Sequence, residues 1–257
     1  MDYETLQFVK EGPIGILTLN RPKSLNAMNF VMLKEFRNFF SDRFHDHDIR
    51  VIVLTGAGKG FNSGLDLGDP DIMTPSGGFT PKRAYEFQKF FSEFIICMRR
   101  CPQPIIGAIN GAAAGAGFSI AMACDVRLAA PEAKFIASYI NIGAGGADMG
   151  SSWLLPRSIG TGNAARYLLT GDRLGSDEAL RIGFVQAIIE RENLLPEAMR
   201  MAQIMAGKSP LALRLTKEAL NRNTGGMSLE DAIQLEDRNQ SMCVMQIMLN
   251  ADTQKDK

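Results

Sequence analysis

Three segments combine residue types that let a backbone do chemistry, and they occur in order. They are Phe61-Asn62-Ser63-Gly64-Leu65-Asp66-Leu67, Asn110-Gly111-Ala112-Ala113-Ala114-Gly115-Ala116-Gly117, and Asp148-Met149-Gly150-Ser151-Ser152-Trp153-Leu154-Leu155-Pro156-Arg157. The second is readable on physical grounds alone. A turn of Gly and Ala lets a ligand come close to the main chain. A helix that starts there leaves its first N–H groups without partners, with the positive end of its dipole facing the ligand. Such a place suits an oxygen that gains negative charge during reaction, and one such donor is worth ~3 kcal/mol of barrier. The competing reading is tight helix–strand packing through small residues, and for an isolated Gly-rich turn that reading has the better claim. A phosphate loop is excluded, because neither a Gly-Lys-Ser/Thr ending nor a GxGxxG order is present.

The elements that must hold these segments follow from pattern. Leu6 to Leu19 alternates apolar and polar residues around Gly12-Pro13, which predicts a hairpin. Asn29 is placed to cap a helix from Phe30 to Phe44, with an apolar stripe at Val31, Leu33, Phe36 and Phe40. The runs Val51–Thr55, Ile105–Ile109 and Val126–Ala130 read as buried strands, and Ala133–Ile136 as a short fourth. Helices are expected over Tyr85–Arg100, Phe118–Cys124, Ser151–Ile159, Gly162–Leu169, Ser176–Ile182, Pro196–Ala206, Pro210–Asn221 and Ser228–Asn250. Strands separated by helices predict βαβ units and an α/β fold, while the last sixty or so residues read as purely helical. Gly68 to Pro81, rich in Pro and Gly, reads as a surface loop.

Composition narrows the function. The 257 residues are 46% hydrophobic and 22% charged, enough for a sizeable core. Lys+Arg and Asp+Glu both number 28, so no basic excess points to nucleic acid or an anionic membrane. No stretch reaches the roughly 20 apolar residues of a membrane helix. The polar, charged Met1–Lys10 reads against a secretory signal. Cys97, Cys101, Cys124 and Cys243 form no CxxC pair and suggest neither a metal cluster nor a disulfide framework, which favours a reducing, cytoplasmic location. Cys124 reads as a buried free thiol. His45 and His47, among Asp46 and Asp48, read as solvated.

Taken together, the three segments resemble the crotonase family, the enoyl-CoA hydratase/isomerase superfamily. The resemblance runs from about Leu6 to about Val185. It includes Asn20-Arg21-Pro22 with Asn26-Ala27-Met28, Thr55-Gly56, Phe61–Leu67, Pro104–Asp125, Leu154–Gly160 and Leu169–Asp172. It implies a spiral core of ββα turns over residues 1–195 and a C-terminal helical region over 196–257 that packs on the core or on a neighbour, in a homotrimer or homohexamer. It implies an acyl-CoA thioester as substrate, with no metal and no cofactor beyond the coenzyme A that the substrate carries. It implies an oxyanion hole made by the N–H groups of Leu65 and Ala116, and coenzyme A contacts at Lys23, Leu25, Ala27, Ser63 and Asp66. Lys23 also reads as a solvated loop charge, and Asp66 equally as a helix cap.

The chain departs from the family pattern at the acid/base positions. The best-known hydratases use two glutamates, one to activate water and one to protonate the α-carbon. The matching positions here are Ser119 and Tyr139, and neither is a carboxylate. Members that shift double bonds carry an Asp just before Gly-x-x-Trp-Leu-Leu-Pro-Arg, and here that Asp is Asp148. A carboxyl beside an apolar pocket has a raised pKa suited to carrying a proton between carbons. The alternative makes Asp148 the N-cap of the following helix. Ser119 then makes room or positions a water, and Tyr139 lines the pocket or donates a hydrogen bond. Phe79, Tyr85, Phe87, Phe90, Phe91, Phe94 and Met98 are available for an acyl pocket, although their helical spacing makes most of them core. Met242, Met245 and Met248 read as a packing or subunit face.

The expected function is therefore action on an unsaturated acyl-CoA through a stabilised enolate, by hydration or by double-bond shift. Two other classes stand beside it: an acyl-CoA-binding homologue with altered catalysis, and a hydrolase or C–C lyase on the same fold.

Overall fold

The computed structural model describes residues 3–73, 80–223, 225–226 and 228–255, with side chains omitted at 73, 83 and 248–255. In chain order the elements begin with β1 (Leu6–Glu11), β2 (Ile14–Leu19), α1 (Phe30–Asp42), β3 (Val51–Gly56), a short α2 (Pro70–Met73) and α3 (Pro81–Arg100). Next come β4 (Ile105–Ile109), β5 (Ala112–Ala114), α4 (Ala116–Ala123), β6 (Val126–Ala129), β7 (Lys134–Ile136), α5 (Ser151–Ile159) and α6 (Thr161–Thr170). The chain continues through β8 (Arg173–Gly175), α7 (Ser176–Arg181), β9 (Ala187–Ile188), α8 (Arg191–Ala206), α9 (Pro210–Asn223) and α10 (Leu229–Lys255).

The hairpin is as expected: β1 and β2 pair antiparallel, with Leu6 opposite Leu19. From β2 onward the main sheet is parallel, in the order β1-β2-β3-β4-β6-β9. Its central strands are apolar on both faces because both faces are covered. In β3, Ile52 and Leu54 join Phe36, Phe40 and Phe94 from α1 and α3. The alternate residues Val51 and Val53 point the other way, onto Leu194, Ala198 and Ala202 of α8. A second, three-stranded sheet has the order β5-β7-β8. Its strand β5 also makes one isolated parallel bridge, between Ala113 and Asn62 in the loop after β3.

Several boundaries differ from expectation. The Asn29 side chain caps α1 by accepting from the Met32 N–H at 2.9 Å. The rotation this sets buries Met32 and Phe39 along with Leu33, Phe36 and Phe40, and leaves Val31 only partly covered. α3 starts at Pro81, not Tyr85, and α4 at Ala116, not Phe118. The strands β5, β8 and β9, of three, three and two residues, were too short for any periodicity to announce. α8 begins five residues before Pro196 and holds that proline inside the helix, so it spans the expected 195/196 boundary.

α9 is tied down by charge. Lys217 on α9, only 5% exposed, reaches Asp125 Oδ2 at 2.8 Å and the Gln103 carbonyl at 2.7 Å. Arg99 holds the other Asp125 oxygen at 3.1 Å and also reaches Asn221 of α9. α10 packs along α9. Met242 and Met245 of α10 are exposed; the Met248 side chain lies outside the described residues. Among the described residues no helix is long and apolar enough to cross a membrane.

Candidate active site

The site begins with how the 62–66 loop is pinned. The Asn62 backbone bonds into β5 on both sides, its N–H to the Ala112 carbonyl at 3.0 Å and its carbonyl to the Ala114 N–H at 2.9 Å. The buried Asn62 side chain accepts from the Gly64 N–H at 2.9 Å and donates to the Asn26 carbonyl at 2.6 Å. Asn26, fully buried, donates onward to the carbonyls of Ala57 and Gly60, both at 2.9 Å. On the next residues, the Gly64 carbonyl and the Asp66 N–H both bond Met28. In a strand-like segment that pairing turns the intervening Leu65 N–H to the opposite side.

Ala116 is the first residue of α4, so its N–H has no intrahelical acceptor. Among the described residues, neither the Leu65 nor the Ala116 N–H finds one elsewhere. The two are neighbours across Gly64. A Cβ added at Gly64, whose φ is +102°, would sit 3.1 Å from the Ala114 oxygen and 3.8 Å from the Ala116 nitrogen. Only glycine both adopts that backbone and leaves the space open. Two unpartnered donors therefore flank Gly64, groups of the kind an oxyanion binds.

The acid/base candidates meet nearby. Ser119 lies one helical turn beyond Ala116 on α4 and is fully buried. Tyr139 follows β7 and is 6% exposed. Its hydroxyl interacts with those of Ser119 and Ser151, yet Ser119 Oγ and Tyr139 Oη form no well-shaped hydrogen bond. Burial raises the Tyr139 pKa, and the nearby Asp148 charge pushes the same way.

Asp148 is half-buried, and burial lifts its carboxyl above the ordinary aspartate range. Two donors oppose that shift: the Met149 N–H at 2.7 Å and the Gln88 Nε2 amide at 2.6 Å. Both act on Oδ1, and among the described residues no donor reaches Oδ2. The helix-cap alternative is not realised, because Gly150 occupies the N-cap of α5 with no side-chain capping bond. Met149 and Gly150 hold φ of +47° and +80°, which folds the carboxylate back on the Met149 N–H instead. A buried methionine in that conformation costs about 1–3 kcal/mol, strain of the kind found at working sites.

The coenzyme A candidates gather on one side. Ser63 N–H reaches the Leu25 carbonyl at 3.1 Å, and Ser63 Oγ the Ser24 carbonyl at 3.2 Å. Leu25 takes a left-handed φ of +51° with its side chain exposed, Ala27 is buried, and Lys23 is exposed. Asp66 is engaged by Arg21 at 2.8 Å and by the Gly68 N–H at 3.1 Å, while Asp69 accepts from the N–H groups of Phe30 and Asp71. Asp66 is therefore not a helix cap.

Of the acyl-pocket candidates, Phe91, Phe94 and Met98 are buried core, Phe87 and Phe90 are half-buried against it, and Tyr85 is exposed. Phe79 lies outside the described residues. His45 and His47 are exposed, and burial pushes the Cys124 thiol up to about 12.

Sequence reasoning missed Gln88, Ser151 and the Asn26–Asn62 pair. Asn62 and Ser151 lie inside the motif segments, so their proximity to the site was visible there; Gln88 carries no signal beyond lying on the helix of pocket candidates.

Comparison with known proteins gives the same grouping. The model of the enoyl-CoA hydratase/isomerase family matches residues 10–250. A protein of Mycobacterium leprae named "Probable enoyl-CoA hydratase echA12" is 37% identical over 241 residues, covering 93% of this chain and 80% of that one. The crystal structure of a probable enoyl-CoA hydratase/isomerase from Mycobacterium abscessus superimposes with a TM-score of 0.86 at 40% identity, over 93% of this chain and 90% of that one. That of a monofunctional enoyl CoA isomerase from M. smegmatis gives 0.74 at 36% identity, over 90% and 98%. By motif, fold and extent of match, this chain belongs to the enoyl-CoA hydratase/isomerase family.

Proposed function

We propose that the protein shifts the double bond of an enoyl-CoA, with Asp148 as its single acid/base. The thioester oxygen lies between the N–H groups of Leu65 and Ala116, and coenzyme A runs past Lys23, Leu25, Ala27, Ser63 and Asp66. Oδ2 of Asp148 takes a proton from the α-carbon of a 3-enoyl thioester. The C–H electrons form a C1–C2 double bond and the carbonyl π pair moves onto oxygen, giving a dienolate whose negative oxygen the two backbone donors hold. The same oxygen returns the proton to the fourth carbon, leaving a 2-enoyl thioester. One proton and one double bond move, so no redox group is called for.

The observation that carries this reading is the Asp148 carboxyl: raised by burial, with both its donors on Oδ1 and Oδ2 unengaged among the described residues. Ser119 and Tyr139 standing at the two glutamate positions supports it, as does the likeness to a monofunctional enoyl CoA isomerase. Incubation with a 3-enoyl-CoA tests it. The expected product has unchanged mass and a conjugated thioester absorbance. A product heavier by one water, formed from a 2-enoyl-CoA, would replace this reading with hydration, and release of free coenzyme A would replace it with hydrolysis. We also assign the exposed Met242 and Met245 of α10 to a contact in a homotrimer or homohexamer. Sedimentation showing a monomer would contradict that.

A further inference from the structure

A cavity of about 470 Å³ opens between the C-terminal end of α3 and α9. Arg99, Arg100, Arg214, Lys217 and Arg222 line it, against a single lining acid, Glu218. Arg222 takes that carboxylate at 2.9 Å. Asp125, behind the wall, is shared by Lys217 and Arg99. Beside the cavity Arg43 and Asp46 pair with each other at 2.9 Å. The wall therefore keeps an excess of positive charge, in a chain whose formal net charge is zero.

Two of these cations have no carboxylate at all. Arg100 is exposed and bonds to none of the described residues. Arg214 gives one hydrogen bond to the Asp46 carbonyl and meets no acid among the described residues. Like charges gathered in one concave wall repel each other, and low-dielectric walls strengthen the field between them. An anion of high charge removes that repulsion, and guanidinium groups match phosphate oxygens two at a time. The exposed ring of Phe44, with Leu211 and Leu215, adds an apolar rim.

The place is separate from the proposed chemistry. β2, β3 and β4 run parallel, and the segments carrying Lys23, Leu65 and Ala116 follow their C-terminal ends. Pro102, on the cavity wall, precedes the N-terminal end of β4. A five-residue strand puts roughly 16 Å between those two edges of the sheet.

We propose that this cavity is a second ligand site, which receives the di- or polyphosphate group of a small molecule. The bound anion bridges α3 and α9.

Titration calorimetry on the intact chain tests it, with inorganic pyrophosphate and ADP as probes and chloride of equal ionic strength as the control. Pyrophosphate should bind, and at least ~10-fold more weakly when Arg100→Gln and Arg214→Gln are combined. Should that double variant fail to fold, Arg100→Gln alone, which breaks no bond in the chain, should still weaken binding by about 3-fold. ADP that binds more tightly than pyrophosphate, and loses the advantage in Phe44→Ala, would support the site with a nucleotide as its source. Equal affinity for both probes would support it with the phosphate group as the whole determinant. Absence of binding by both probes would overturn the proposal. So would binding that survives the arginine substitutions but is lost in Lys23→Gln, because the anion would then lie at the coenzyme A candidates.

Discussion

Gln88 Nε2 donates to Asp148 Oδ1 at 2.6 Å, across sixty residues of chain, and so joins the helix of acyl-pocket candidates to the proposed base. The bond lowers a pKa that burial raises. Gln88→Met keeps the length of the side chain and removes the donor. The Asp148 pKa should then rise further, and the acidic limb of the rate profile should move to higher pH. Carboxyl-carbon NMR titration beside a pH–rate series checks this, and an unmoved Asp148 titration would contradict it.

Asp148 also links stability to pH. Its folded-state pKa is raised, so the folded protein holds the proton more tightly than the unfolded chain does. Its contribution to stability is fully present below the unfolded pKa and is lost as pH rises through the folded value. Asp148→Asn, which can still accept from Gln88 and Met149, should therefore be more stable than the parent at neutral pH. The difference should vanish below the ordinary aspartate range. Urea unfolding at both pH values reads the sign, and a variant less stable at neutral pH would count against the account.

Gly64 separates the two donors, and a Cβ there would crowd the Ala114 oxygen at 3.1 Å. Gly64→Ala should destabilise the fold by about 1–3 kcal/mol through its positive φ. It should also lower kcat by roughly 10²–10³, the loss expected for one spoiled oxyanion donor. Kinetics on variant that is folded by circular dichroism separates the two effects.

Lys217 and Asp125 fasten α9 to the core, with Lys217 almost wholly buried. Asp125→Ala leaves that ammonium without its carboxylate and should cost about 3–5 kcal/mol, whereas Lys217→Met should cost much less or nothing. Chemical denaturation of the two variants tests the asymmetry.

The parts of this molecule that were legible in the sequence are those where residue type dictates backbone. The Val/Ile runs of β3 and β4 and the Asn29 cap each have a single physical use, and each appears where expected. Asp148 was ambiguous because an aspartate before a helix fits both a cap and a base. In the fold the cap position falls to Gly150, with Met149 and Gly150 at positive φ, and no pattern of side chains encodes that turn. Gln88 was invisible for a different reason: a glutamine on an amphipathic helix looks solvated until the partner sixty residues away is known. In the fold the buried amides of Asn26 and Asn62 tie the 21–28 and 57–64 segments together.

The role proposed for Asp148 is that of single acid/base beside two backbone donors. It is tested most directly by following double-bond migration in a 3-enoyl-CoA with the parent protein and with Asp148→Asn, while measuring butanoyl-CoA affinity for both. The account predicts a rate reduced by at least about 10²-fold, the usual worth of a positioned acid/base, with affinity changed less than about 3-fold. A variant that keeps its rate within about 10-fold of the parent would contradict it.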